Sequence, residues 1–560
     1  MSGHRAVLGL KPGPWHDTGA ALVVERGGGL DVAAISQERL DRRKHSRAFP
    51  RDAIDYCLAV LGVSLAELDL VVSDYILRPS FDDAPDGAPA SVIEEKKDFF
   101  DRLRSLRVPF TFADHHLCHA ASAFFASPFD EAATVVIDGH GSELETQSLF
   151  GCRGNELQRL ATSHQPGIGW FYSVITEALI GFGHLQEGKT MGLAAWGNPS
   201  SEWQRAFAAA CYDGLTTHYP QFAEADGRLW RMAVPPGLHA QPAGMPATEG
   251  PARDYASAAQ AEIERAILHV ARWIRDFVGR DLPLCYAGGV ALNVVANRLI
   301  LDSGLFTDLF IQPAASDSGI PLGACLFGYH CRLGGRARWR MSHAFLGRDY
   351  GLDACATAAS RWEGHVVEYT PDLVAHILAN NYLLGWFQGA CEYGPRALGH
   401  RSILAGPQHP RMKDYLNLQV KHREPFRPFA PIVRTRDQAT YFDLSRESPY
   451  MLLNAVTHPV WRSRFPAVVH VDGTARVQSV SRDANPLLEV VLEAAGGRTG
   501  IPVLLNTSLN LAGEPILETP TEAVDLLRRS ELHGMVVGRW LLTKSDSVQL
   551  RGESNPSLPL

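Results

Sequence analysis

The residues best placed to do chemistry lie in two short stretches. One is Asp114-His115-His116-Leu117-Cys118-His119-Ala120; the other is the apolar run Thr134–Ile137 that ends in Asp138-Gly139-His140-Gly141. A helix predicted from His116 to Phe125 puts His115 and His119 at i and i+4, so both imidazoles face one way, as a metal-ligand pair requires. Asp138 closes a run of Val and Ile suited to a buried strand, where its carboxylate supplies a third, hard ligand. Packing alone also accounts for paired histidines on a half-apolar helix. Ala314-Ala315-Ser316-Asp317-Ser318-Gly319 brings a further acid to the mouth of a strand. Asp317 either caps the apolar helix that follows or completes the set as a fourth ligand.

Other stretches carry weaker chemistry. In Trp15-His16-Asp17, after the first strand, His16 is either a general base working near neutral pH or a turn histidine at the surface. Gly188-Lys189-Thr190-Met191-Gly192 lacks the preceding glycine and four-residue spacer of a P-loop, so a tight turn with Lys189 solvated is the competing reading. Ala287-Gly288-Gly289-Val290-Ala291-Leu292-Asn293 joins a strand to a helix and can aim backbone N–H groups at a phosphate. Gln37-Glu38-Arg39 with Lys44 reads as a charged edge.

Beyond a boundary near Ser342–Tyr350 the composition changes. Arg396, Arg401, Arg411, Lys413, Lys421, Arg423, Arg427 and Arg434 face only Asp414 and Glu424 in the same span. Arginine binds phosphate oxygens bidentately and keeps its charge, so a pocket for several phosphates is expected. A strip for RNA is the alternative, but aromatic residues do not interleave the cations as base stacking needs. Asp472–Arg476 and the strand-like Pro502–Asn510, ending in Asn506, Thr507, Ser508, Leu509 and Asn510, add amides and hydroxyls.

The elements that must position these groups follow from periodicity. Ala6–Leu10, Ala20–Val24 and Asp31–Ile35 read as strands, followed by a helix carrying Ile54, Cys57, Leu58 and Leu61 on one face, and the strand Leu70–Ser73. Pro79–Pro89 is a polar loop, Val92–Arg107 a charged helix and Pro109–Phe112 a strand. A comparable order restarts at Thr134, with Gln147–Phe150, a long helix at about 255–278, and Leu284–Ala287. That is a duplicated ribonuclease H-like plan, the α/β superfold of sugar kinases, actin and Hsp70. The Pro-, Gly- and Ala-rich run Pro235–Pro251 reads as a lid over a site. Helices near Pro486–Ala495 and Thr521–Arg529 are expected to cover the second sheet, and the tail after Ser545 to fray.

Composition sets the outer limits. With 560 residues, 46% hydrophobic and 20% charged, the chain has material for two to four globular domains. A net charge of -8 argues against a protein that coats nucleic acid. Nine cysteines without a CxxC pair suit reduced thiols, and no apolar run reaches membrane-spanning length, so a cytoplasmic protein is expected.

Together, His115 with His119, VVIDGHG, GKTMGLAAWG, AGGVALN, the Asp317 turn, EYGPRALGHRSI, KHREPFRPFAP, HVDGTARVQ and PVLLNTSLN resemble the NodU/CmcH family of O-carbamoyltransferases. The resemblance spans nearly the whole chain. It implies two fused domains: residues 1–345 similar to the metal-dependent threonylcarbamoyl-transfer protein of tRNA modification, and residues 346–560 similar to the YrdC-like adenylate-forming domain. It also implies that the second domain makes carbamoyl-adenylate from carbamoyl phosphate and ATP with Mg(2+). Arg396, Lys421, Arg427, Arg476, Asn506, Ser508 and Asn510 fall where the family grips these substrates, with Lys421 catalytic. The adenylate would pass inside the protein to the first domain. There His115, His119 and Asp317 match the family's Fe(2+) ligands, with Asp138 beside metal and adenylate. Gly289, Asn293 and Lys189 are implied nucleotide contacts, and His16 is the implied base that deprotonates the acceptor, a hydroxyl of an antibiotic-type natural product. The acceptor pocket is expected from residues 212–253 together with loops near His16. Leu117 and Cys118 stand where relatives often carry Glu-Ala, and Cys118 is expected to influence metal preference. The competing readings are a kinase of the same superfold and a tRNA-modifying or nucleic-acid-binding protein.

Overall fold

Runs of Ala, Val, Leu and Ile broken by glycine turns build the strands of the first half, and Val7, Leu8, Leu22, Val23 and Ala33 have no exposed surface at all. The computed structural model describes residues 5–12, 16–74, 90–198, 200–226, 229–238, 240–242, 244 and 246–544. Trp15, the Pro79–Pro89 loop and the tail after Ser545 lie outside the described residues. Two compact units emerge: residues 1–38 with 45–341, and residues 39–44 with 342–560.

In the first unit, β1 (Ala6–Lys11), β2 (Gly19–Arg26), β3 (Gly29–Ser36), β4 (Leu70–Asp74) and β5 (Phe110–Ala113) form a sheet in the order β3-β2-β1-β4-β5. β1 runs antiparallel to β2 and parallel to β4. A second sheet repeats the plan with β6 (Glu131–Ile137), β7 (Gln147–Arg153), β8 (Glu156–Ser163) and the strands Leu284–Ala287 and Leu309–Ile311. Here β6 is antiparallel to β7 and parallel to Leu284–Ala287, which is parallel to Leu309–Ile311. The identical order and polarity establish the expected duplication. β8 was not predicted, because Glu156, Gln158 and Arg159 along it are exposed and give the strand no apolar face.

The histidine helix packs against the helix that follows Asp317, and glycines let the elements around them approach closely. A Cβ on Gly323, in the helix Ile320–Phe327, would fall 1.8 Å from the Cys118 carbonyl oxygen in the helix His115–Phe124. One on Gly9 in β1 would fall 2.0 Å from the Pro321 carbonyl oxygen. Backbone therefore meets backbone, and neither glycine tolerates a side chain without movement.

The GKTMG stretch is not a tight turn: it lies inside the helix Glu187–Ala194. The described part of the Pro235–Pro251 run is tied down, with the N–H groups of Gln241, Ala247 and Gly244 donating to the carbonyls of Ala178, Ile180 and Gly181. The long helix that follows spans Pro251–Val278.

The second unit is α/β on an eight-stranded mixed sheet. Its order is His365–Glu368, Trp540–Thr543, Gly534–Val537, Leu384–Phe387, Arg401–Ala405, Val503–Ser508, Ala430–Arg434 and Gln478–Val480. Helices Pro371–Ala379 and Pro486–Thr499 pack Ile377, Leu378, Leu488 and Leu492 against Trp386, Leu404, Ile432 and Leu504 of the sheet. Residues 39–44 belong to this unit although they come from the early chain. Arg39 Nη2 donates to the Gly394 carbonyl over 2.7 Å. Arg42 donates to the carbonyls of Pro515 and Ile516 over 2.8 and 2.9 Å and pairs with Glu522 at 3.2 Å. Among the described residues no helix is long and apolar enough to cross a membrane.

Candidate metal centre and anion site

Asp114 starts the histidine helix by accepting the Leu117 N–H at 2.9 Å, which makes His115 its first residue and His119 one turn later. Their Nε2 atoms lie 3.3 and 3.2 Å from Asp138 Oδ2, at the end of β6. Asp317 Oδ1 lies 3.5 and 3.7 Å from the same two nitrogens. The four donor atoms all fall within 4.8 Å of one another. Asp317 opens the 3-10 turn Asp317–Gly319, and the N-cap position of the helix Ile320–Phe327 is Gly319. Cys118 is fully buried and is not one of the four.

The far side of each donor is also held. His115 Nδ1 is 3.0 Å from Asp74 Oδ2, which fixes the tautomer that presents Nε2. Asp138 Oδ1 accepts the Gly289 N–H at 2.9 Å. Asp317 Oδ2 is 3.1 Å from Lys11 Nζ, which also lies 3.9 Å from Asp74. Burial works to lower the His115 pKa, but Asp74 and Asp317 carry it well above the ordinary histidine value. Burial likewise opposes ionisation of Asp138, yet bonds from His115 and His119 hold it well below the carboxylate range. Two imidazoles and two carboxylates, buried and oriented by partners behind them, are a donor set that fits a divalent first-row ion.

His16 sits at the edge of this cluster. Its Nδ1 lies 3.1 Å from Asp17 Oδ2 and 3.9 Å from Asp317 Oδ2, and its ring meets His184 edge-on at 5.5 Å. Asp17 also reaches His45 Nδ1 at 2.8 Å. Gly288 takes φ 93° beneath this site, where a Cβ would meet the Ile137 carbonyl oxygen at 2.2 Å, so glycine is required. Asn293 caps the helix Val294–Asp302 through the Ala296 N–H at 3.1 Å and donates to Gln260 at 2.9 Å. Lys189 stands over the Phe182 ring at 5.4 Å.

Sequence reasoning missed Lys11, Asp74 and the Asp17–His45 pair. Lys11 and Asp74 are the last residues of the parallel neighbours β1 and β4. The rule that ligands gather at the carboxyl ends of parallel strands was the signal that points to both.

In the second unit Lys421 follows a wide helical turn, Leu416–Val420, and its Nζ lies 2.9 Å from both the carbonyl and Oδ1 of Asn510 and 3.3 Å from Ser508 Oγ. Asn506 donates to Gln478 Oε1 at 2.7 Å and to the Ala397 carbonyl at 3.1 Å. Around them Arg396, Arg423, Arg427 and Arg476 repel one another. Burial, then Arg427, takes Arg396 down to about 10; burial, then Arg427, takes Arg423 to about 9. Burial and three neighbouring guanidiniums depress Arg476 further still. Glu424, 3.6 Å from Arg427, is the carboxylate that faces them. The Nε atoms of Arg396 and Arg476 are buried without a hydrogen-bond partner among the described residues. Such crowding of cations costs stability until anionic oxygens fill it. Two cations of the expected cluster do other work. Arg401 is fully buried, stacks on Phe387 at 3.7 Å and donates to the Gly389 carbonyl, whereas Arg434 pairs with Asp437 and Glu493.

A duplicated ribonuclease H-like unit holding a histidine–aspartate cluster, fused to an arginine-rich α/β unit, defines the class. The family model described as Carbamoyltransferase N-terminus matches residues 6–82 and 92–326, and the one described as Carbamoyltransferase C-terminus matches residues 375–544. The chain belongs to the carbamoyltransferase family and is a carbamoyltransferase. It is 34% identical to the uncharacterized protein sll1178 of Synechocystis sp. over 96% of both chains. Nodulation protein NolNO of Sinorhizobium fredii is 35% identical over 97% of this chain and 81% of its own. The 3'-hydroxymethylcephem-O-carbamoyltransferase of Amycolatopsis lactamdurans is 30% identical over 90% of this chain and 96% of its own.

Proposed function

We propose that this carbamoyltransferase converts carbamoyl phosphate and ATP to carbamoyl-adenylate, releasing phosphate and pyrophosphate, and moves the carbamoyl group to a hydroxyl of an antibiotic-type natural product. Adenylate formation belongs to residues 346–560 completed by 39–44, and transfer to the first unit. Arg396, Arg427 and Arg476 neutralise the phosphoryl oxygens of ATP with its Mg(2+), and Lys421 moves its ammonium onto the charge that develops as phosphoryl bonds break. Ser508, Asn506 and Asn510 orient the carbamoyl end. In the first unit His115, His119, Asp138 and Asp317 hold Fe(2+) or another divalent ion, which when bound polarises the carbamoyl carbonyl. Asp17 keeps the His16 proton on Nδ1, leaving the Nε2 lone pair to take the proton of the acceptor hydroxyl. Gly289, Asn293 and Lys189 contact the nucleotide, and the region 212–253 with the loops near His16 receives the acceptor. With all nine cysteines free, the enzyme works in a reducing cytoplasm.

The observation that carries this reading is the convergence of four ligand atoms within 4.8 Å in a chain of this family. Incubation with ATP, carbamoyl phosphate and a panel of hydroxylated natural products, with mass detection of an added carbamoyl, tests it. Pyrophosphate release that requires carbamoyl phosphate, followed by an O-carbamate product, supports the reading. Transfer of the γ-phosphate to an acceptor without carbamoyl phosphate refutes it.

A further inference from the structure

Lys11 ends β1 and is 2% exposed, an unusual place for an ammonium group. Its partners are Asp317 Oδ2 at 3.1 Å and Asp74 Oδ2 at 3.9 Å. The two oxygens of Asp317 therefore have different fates: Oδ1 faces the Nε2 atoms of His115 and His119, whereas Oδ2 is drawn to Lys11. Asp138 is divided in the same way, with Oδ2 toward the histidines and Oδ1 on the Gly289 N–H. Each carboxylate is thus limited to one oxygen at the point where the donors meet. The charges agree with this arrangement. Asp74, Asp138 and Asp317 bring three negative charges; the Lys11 ammonium and a divalent ion cancel them, so the buried group carries no net charge.

We propose that Lys11 is a positioning residue that holds Asp317 to single-oxygen ligation, keeping coordination positions open for the carbamoyl substrate and matching the site to a divalent ion. This rests on the metal reading of the four-donor cluster. Without Lys11, Asp317 is free to turn both oxygens toward the ion, which binds more tightly in a more negative site while its open position closes. A lysine in this place costs metal affinity and keeps access.

The experiment is Co2+ titration of the full-length wild type, Lys11→Met and Lys11→Gln, with X-ray absorption of each loaded protein and thermal unfolding as a check on folding. Wild type is expected to bind one ion with single-oxygen carboxylates. The two variants are expected to bind one ion about tenfold more tightly, with a higher coordination number and loss of carbamoyl transfer. Variants that bind Co2+ more weakly than wild type, or with an unchanged absorption spectrum, overturn the proposal. Two-oxygen ligation by Asp317 in the wild type overturns it whatever the variants do. Failure of the wild type to bind Co2+ at all sinks the metal reading itself, an outcome separate from these.

Discussion

His115 turns its Nδ1 to Asp74 Oδ2 at 3.0 Å and its Nε2 to Asp138 Oδ2 at 3.3 Å, so one imidazole is clamped between two carboxylates. Asp74 ends β4 and Asp138 follows β6, one from each half of the duplicated fold. Asp74→Asn keeps the shape and removes the charge that orients the ring. Metal affinity is expected to fall about 10- to 100-fold, measured as bound metal per chain after dialysis against a graded chelator, with the fold intact.

Arg476 shows the opposite balance between stability and function. Burial and the neighbouring Arg396, Arg423 and Arg427 all work against its charge. Arg476→Met removes one cation from a crowded site, so without ligand the second unit is expected to melt about 2–4 °C higher, while pyrophosphate release falls about 100-fold. The wild type, in turn, gains more stability from added pyrophosphate than the variant does. Calorimetry with and without pyrophosphate measures both effects.

Glu145 introduces a pH dependence. It is fully buried, and burial together with Asp114 raises its pKa from 4.5 to about 7. The folded chain therefore keeps a proton that the unfolded chain has already lost, so stability falls as pH rises from 4.5 to about 7 and then levels off. The loss is on the order of 3 kcal/mol. Glu145→Gln lacks this slope: denaturant unfolding should find it equal to the parent at pH 4 and more stable at pH 8.

The clustering of His115, His119 and Asp138 was legible because i, i+4 histidines and an acid closing a Val-rich strand are local patterns. The duplicated sheet was legible too, from strand order alone, apart from β8, whose exposed Glu156 and Arg159 hide it. Lys11 and Asp74 were not, since their roles arise only when β1 and β4 lie side by side in parallel. The second unit misled in a different way: Arg401 and Arg396 are alike in sequence, yet Arg401 stacks on Phe387 in the middle of the sheet and donates to the Gly389 carbonyl, whereas Arg396 lies buried beside the Arg427 guanidinium. Residues 39–44 looked like a charged edge because their partners Gly394, Pro515 and Ile516 are hundreds of residues away.

Activation and transfer are assigned to separate sites, with the histidine cluster serving only the second. His119→Ala, assayed for bound metal, pyrophosphate release and O-carbamate in the same preparation, separates the two. The prediction is no bound metal, pyrophosphate release still dependent on carbamoyl phosphate and within about threefold of wild type, and no carbamoylated product. Loss of pyrophosphate release in a folded variant, or product formation without the metal, contradicts the account.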